Sequence, residues 1–100
     1  MSMIQTGKVD LSSDQPIATQ GGNTSTFTRV TFPTPFPNGS QVIVLAQTQT
    51  FNGPETPGIR LADVNNEGFL IRFNEVNVNA NVRSDGLHTS ETVGWLATTV

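Results

Sequence analysis

No stretch of this sequence repeats apolar residues every three to four positions, which is the spacing that an amphipathic helix needs. Instead, short runs rich in Val, Ile, Thr and Phe alternate with segments rich in Gly, Pro, Asn and Ser. Such runs are typical of β-strands, and the residues between them are typical of turns. The pattern therefore predicts an all-β protein folded as a six-stranded antiparallel β-sandwich, with residues 1–100 forming one domain.

The strand boundaries follow from the turn residues. Three prolines within residues 33–37 exclude a helix and a central strand, Asn38-Gly39 predicts a tight turn, and Gly68 ends a tight connection as a residue that is free to take a positive φ. Residues 76–82 alternate strictly, which predicts either an extension of the fifth strand or an extended loop. The six predicted strands cover residues 4–11, 25–32, 41–50, 59–64, 69–75 and 91–100.

The only tryptophan, Trp95, lies in the last predicted strand. Alternation along a strand puts Val93, Trp95 and Ala97 on one face. In a chain of this size a lone tryptophan is most often the centre of the core, and a platform that stacks on a sugar is the alternative. We expect this strand to be paired on both sides.

The patterns of two other predicted strands indicate which of their faces are buried. Residues 42–46 are apolar at every position, which predicts a strand buried on both faces. In the fifth strand, Phe69, Ile71 and Phe73 share the predicted inner face. Leu70 and Val76 point the other way, so the fifth strand predicts a contact surface between copies of the chain.

The composition of the chain argues against some classes of function. Charged residues make up 13% of the chain, about half the usual share of roughly 25%. The net charge is -3 with one lysine, so no basic patch for nucleic acid is expected. Cysteine is absent, no apolar run is long enough to insert into a membrane, and the N-terminus shows no signal peptide. A surface of Thr, Asn, Gln and Ser is typical of extracellular β-proteins and of phage structural proteins.

Catalytic and metal-binding patterns are weak. His88 is the only histidine, and Asp85, His88 and Glu91 are spaced three apart. On a helix such residues would share a face, but this segment is predicted to run from loop into strand, so the three side chains need not converge. We therefore expect a solvated histidine, no enzyme activity, no metal and no cofactor.

Polar side chains that could bind a ligand lie in strands and loops. Arg60 and Arg72 occupy two neighbouring predicted strands, where arginine is either a surface residue or a fork aimed at a ligand or another subunit. Asn23 and Asn77 carry amides that suit sugar hydroxyls, although asparagine is also a common turn residue.

The order of motifs along the chain resembles that of the H-type lectin domain, the family of the snail agglutinin and the C-terminal discoidin domain. The segment TGKVD (6–10) is similar to the family's first strand, and VTFPTPF (30–36) followed by VIVL (42–45) is similar to its F-x-x-P-F pattern and apolar strand. The segment VNNEGF (64–69) resembles its V-x-x-x-G-F turn, and VGWLA (93–97) resembles its closing strand.

This resemblance implies a six-stranded sandwich that assembles into trimers, sometimes stacked into hexamers. It also implies binding of galactose or N-acetylgalactosamine in clefts between subunits. By position, Arg60 is similar to the family's sugar-binding arginine in the fourth strand. Asn77 lies where the family places a polar or aromatic side chain that contacts the sugar after the fifth strand. Asn23 lies in the loop where the family supplies an acidic side chain.

Two hypotheses therefore remain. The first is a multivalent carbohydrate-binding module, an adhesin or agglutinin whose partners are glycans and copies of itself. The second is a structural protein of a phage or other virus, such as a decoration protein or a tail-fibre head, that uses the fold mainly for assembly. Both predict an extracellular or virion-surface location.

Overall fold

The computed structural model describes residues 3–13, 22, 24–54, 57–74, 77–79, 82–83 and 88–100. Every regular element in these ranges is a β-strand, and none of them contains a helix that could cross a membrane. The strands are β1 (Ile4–Ser13), β2 (Thr28–Thr31), β3 (Val42–Thr48), β4 (Gly58–Ala62), β5 (Gly68–Asn74), β6 (Asn77–Asn79), β7 (Val82–Arg83) and β8 (His88–Thr99).

Six of these strands form two antiparallel sheets, which confirms the predicted sandwich. The first sheet has the order β1-β8-β3 and the second has the order β2-β5-β4. Strand β8 is central in its sheet, so the expectation that the Trp95 strand is paired on both sides is confirmed. Within residues 76–82, β6 pairs with β7 and not with a main sheet.

Aromatic rings join the two sheets. Trp95 on β8 lies 5.5 Å from Phe69 on β5 and 5.6 Å from Phe32, measured between ring centroids. Trp95 is only 6% exposed, so its interpretation as the centre of the core is confirmed. The buried apolar residues are Leu11, Phe32, Phe36, Val44, Phe69, Ile71, Phe73, Val93, Trp95 and Ala97.

At two glycines, another part of the chain packs where a side chain would otherwise lie. Gly7 on β1 lies opposite Trp95, and a Cβ there would come within 2.6 Å of the indole Cε2. Gly68 does not adopt a positive φ, and glycine is needed there for another reason: a Cβ at this position would collide with the carbonyl oxygen of Val30. Gly39 does have a positive φ of 84° in the predicted turn.

The outer faces differ from the sequence prediction in two places. Strand β3 is an edge strand, and its burial alternates: Val44 is buried, whereas Ile43 is 49% and Leu45 65% exposed. The predicted burial of β3 on both faces is therefore wrong for a single chain. On β5 the inner set Phe69, Ile71 and Phe73 is confirmed, but Arg72 and Asn74 on the opposite face are buried as well.

Candidate functional site

The three residues predicted to bind sugar lie in different settings. Arg60 lies on β4 with an exposed side chain. The backbone of Asn77 lies in β6, opposite Arg83. Asn23 lies outside the described residues. A shared site formed by these three residues therefore stays a prediction.

Arginines gather on the outer face of the second sheet. Arg60 pairs directly with Arg72, and Arg29 pairs with Leu70, two residues away from Arg72 on the same face. Arg29 and Arg60 are exposed, and no hydrogen bond or ion pair joins the Arg60 guanidinium to the part of the chain that the structure describes. The outer face of this sheet therefore presents two exposed arginine side chains, Arg29 and Arg60.

Arg72 behaves differently from Arg60. It is 5% exposed, its Nε donates to the carbonyl oxygen of Phe73 at 2.7 Å, and its guanidinium contacts the hydroxyl of Thr26. Arg60 is therefore exposed as a surface arginine would be, whereas the surface interpretation is wrong for Arg72. Both arginines lie between two apolar residues in the sequence, but Arg72 lies on the central strand of its sheet and Arg60 on an edge strand.

The outer face of the first sheet carries an apolar patch, which we call the outer patch: Ile4, Ile43, Leu45 and Leu96. Leu45 pairs with Leu96 in one row across the sheet, and in the next row Thr98 lies between Ile4 and Ile43. Ile4 is 64% exposed, Ile43 49% and Leu45 65%, while Leu96 is half-buried between the outer strands.

This position differs from the predicted contact surface on the fifth strand. Leu70 there is half-buried, and Val76 lies outside the described residues. The exposed large apolar side chains that lie within described strands, Ile4, Ile43 and Leu45, are on the opposite sheet.

A buried carboxylate organises the loop that follows β3. Glu91 on β8 is 4% exposed. Its carboxylate oxygens accept hydrogen bonds from the Thr50 hydroxyl at 2.6 Å, the Asn52 N–H at 2.9 and 3.0 Å and the Gly53 N–H at 3.0 Å. The Thr50 hydroxyl, followed by the two N–H groups, lowers the pKa of Glu91 from its ordinary value of 4.5, although burial opposes this effect.

Backbone contacts to β8 complete the attachment of residues 49–53, which we call the pinned loop. The Gln49 N–H donates to the Thr92 carbonyl at 2.7 Å, and the Thr92 N–H donates to the Thr50 hydroxyl at 2.9 Å. The Asn52 side-chain amide donates to the Ser90 carbonyl at 3.0 Å. Hydrogen bonds to β8 therefore hold the loop on both sides of its central residue.

That central residue, Phe51, points into solvent and is 90% exposed. A cavity of about 180 Å³ opens beside it, between the end of β3 and the start of β4. Gln47 and Thr48 line one side of the cavity, and Pro54 and Pro57 also contribute to its wall. Phe51 is not among the residues predicted to bind a ligand, since its only signal in the sequence is an aromatic residue inside a Gly- and Pro-rich loop.

The histidine prediction needs correction. His88 is 7% exposed, lies within β8 and packs on Phe73 with 6.0 Å between ring centroids. The solvated loop position expected for it is therefore wrong. Asp85 lies outside the described residues, and the Glu91 carboxylate already binds the pinned loop. Within the described ranges no three His, Cys, Asp or Glu side chains are grouped as metal ligands.

Comparison with protein families gives a match over residues 3–98 to the family described as "Putative tail fiber protein gp53-like, C-terminal". The chain belongs to this tail-fibre family. Membership supports the viral structural hypothesis over the adhesin hypothesis, and the family implies a location on the surface of the virion. Searches of the curated proteins and of the solved structures returned no match.

Proposed function

We propose that this chain is an assembly and surface-recognition unit of a tail fibre, in which copies associate into a trimer or a stacked hexamer. The observation that supports association is the outer patch. Isolated apolar residues on a surface are ordinary, but here they occupy four of the six positions in two adjacent rows of one sheet face, with Thr6 and Thr98 at the other two.

The geometry of the patch favours association between copies. Each exposed aliphatic side chain that leaves water contributes about 25 cal/mol per Å² of apolar area. Ile43 and Leu45 lie on an edge strand, and an exposed apolar edge promotes uncontrolled pairing unless something covers it. The copies of a fibre subunit supply identical surfaces to cover each other.

Sedimentation velocity of the purified chain tests this proposal. We expect an assembled species for the wild type and a monomer for Leu45→Arg, because the substitution places a charge in the centre of the patch. Thr31→Arg is the matched control, since it adds the same side chain to an exposed position of the other sheet. A monomeric wild type, or equal dissociation by both variants, would contradict the proposal.

A second candidate function is binding of host-surface glycans of the galactose or N-acetylgalactosamine type. The exposed Arg60 guanidinium supports it, because a planar donor with no partner in the described chain is available to sugar hydroxyls. The resemblance to H-type lectin domains supports the same residue and adds Asn23 and Asn77.

A glycan array distinguishes a chain that binds glycans from one that only assembles. We expect wild-type binding to at least one galactose-type glycan and its loss in Arg60→Ala, with the melting temperature unchanged within a few degrees. Arg29→Ala is the control for removal of one exposed arginine from the same sheet. Dissociation of the Arg60 variant would make Arg60 an interface residue and remove it from the sugar site.

A further inference from the structure

We propose that Phe51 and the cavity beside it bind a single neutral pyranose unit of a surface glycan. This subsite does not include Asn23, Arg60 or Asn77. The inference deepens the proposed function and rests on it, since only a chain that meets a glycan-bearing surface has use for such a subsite.

The presentation of Phe51 is the first argument. At 90% exposure it is the most exposed large apolar side chain in the described part of the chain. Thr50 on one side and Asn52 on the other are hydrogen-bonded to Glu91, so the backbone that carries the ring is fixed. A loop whose backbone is already fixed loses less conformational entropy when it binds, and an aromatic side chain adds few rotatable bonds.

The size and lining of the cavity are the second argument. Its volume of about 180 Å³ is below the roughly 300–1,000 Å³ of pockets for larger ligands, so one sugar ring suits it. Phe51, Pro54 and Pro57 supply apolar surface for the C–H face of a pyranose. The amide of Gln47 and the hydroxyl of Thr48 supply both donors and acceptors for its hydroxyl groups.

The described part of the cavity lining carries no positively charged side chain, which favours a neutral ligand over an anion. Glu91 is the only ionisable residue among the cavity residues that the structure describes. Each of its carboxylate oxygens already accepts two hydrogen bonds from the pinned loop. The carboxylate is therefore committed to holding the loop and is not available to a cation, and no described residue of the lining attracts an anion.

The position of the cavity separates it from the outer patch. Gln47 pairs with Gly94, one row beyond the Leu45–Leu96 row of the patch on the same face. The cavity therefore begins next to the last row of the outer patch. Association through the outer patch would place Phe51 at the rim of the contact, where it remains open to a glycan.

Protein-observed NMR with methyl pyranosides tests the inference. The probes are methyl galactoside, glucoside, mannoside and N-acetylgalactosaminide, each titrated into the wild-type chain. We expect at least one to shift the backbone amide signals of the pinned loop. Phe51→Ala should weaken that binding at least about tenfold, and Phe51→Trp should retain it because it keeps an aromatic face. Val64→Ala, which truncates another exposed apolar loop residue, is the control and should bind as the wild type.

The outcomes distinguish this subsite from the proposed assembly. Absence of shifts with every pyranoside, or unchanged affinity in Phe51→Ala, overturns the inference. A Phe51→Ala variant that dissociates in sedimentation also overturns it, because Phe51 would then belong to the contact between copies. A wild-type monomer that binds a pyranoside through Phe51 contradicts the proposed assembly and leaves the subsite in place.

Discussion

The two sheets have similar inner faces and opposite outer faces. Inside, both contribute large apolar side chains that meet around Trp95. Outside, the β1-β8-β3 sheet shows the aliphatic outer patch, whereas the β2-β5-β4 sheet shows the exposed Arg29 and Arg60 beside the buried Arg72. The inner faces account for folding, whereas the outer faces differ in chemistry, one aliphatic and the other carrying exposed arginines.

The two outer faces keep their separate character only while the core holds the two sheets together. Truncation of Trp95 should therefore have the largest effect on the free energy of unfolding. Trp95→Ala should lower the free energy of unfolding by about 3–5 kcal/mol, because it leaves a large cavity between the sheets. Urea unfolding followed by circular dichroism measures this loss. Trp95→Phe is the control and should cost clearly less. A cost below about 1 kcal/mol for Trp95→Ala would contradict a core centred on the indole.

A smaller loss of stability is expected when an added methyl group crowds the Trp95 indole. Gly7→Ala adds a Cβ within 3 Å of indole atoms, including Nε1 at 2.9 Å. Overpacking of this kind costs about 1–3 kcal/mol. Gly39→Ala is an instructive control, because nothing lies within 4 Å of its Cβ position and only its φ of 84° opposes the substitution. Equal stability of Gly7→Ala and the wild type would show that β1 does not pack closely on Trp95.

The stability of the pinned loop, which lies next to the outer patch, should depend on pH. The pKa of Glu91 is lowered in the folded state, so its contribution to stability is present above pH 4.5 and is lost as the pH falls through the folded-state value. Amide hydrogen exchange at Asn52 and Gly53 should therefore show reduced protection in acid, beyond the intrinsic change with pH. Glu91→Gln should weaken protection at neutral pH and remove this pH dependence. A wild-type loop whose protection stays constant in acid would contradict the role of the carboxylate.

Removal of one exposed arginine should have the smallest effect on stability. Arg60→Ala removes an exposed side chain that has no hydrogen-bond partner among the described residues, so it should change the free energy of unfolding by no more than about 0.5 kcal/mol. Thermal unfolding of the variant and the wild type measures this change. A large destabilisation would mean that Arg60 packs into the fold and does not belong to an open face.

Most of the fold could be predicted from the sequence, because alternation and turn residues act locally. The inner set on β5 and the central tryptophan followed from a period of two and from residue size. The buried Arg72 and His88 could not be predicted, since their burial depends on which strands cover them. The requirement for Gly68 is likewise a close contact with Val30 in another strand.

The candidate site was predicted less completely. Arg60 was identified as an exposed arginine within a strand, and its role in binding remains a prediction. Glu91 was considered only as a metal ligand, whereas its partners Thr50, Asn52 and Gly53 lie about 40 residues earlier, at separations of 38 to 41. Neither local propensity nor spacing encodes such contacts, so the pinned loop and Phe51 became visible only in the folded chain.

The rate at which a thiol at position 45 reacts with a maleimide tests the central claim most directly. The chain has no cysteine, so Leu45→Cys and Thr31→Cys each introduce a unique thiol, one on each outer face. If the outer patch joins copies of the chain, the thiol at position 45 will react much more slowly than the thiol at position 31 in the native protein, and at a similar rate in urea. Equal rates in the native protein would contradict the claim.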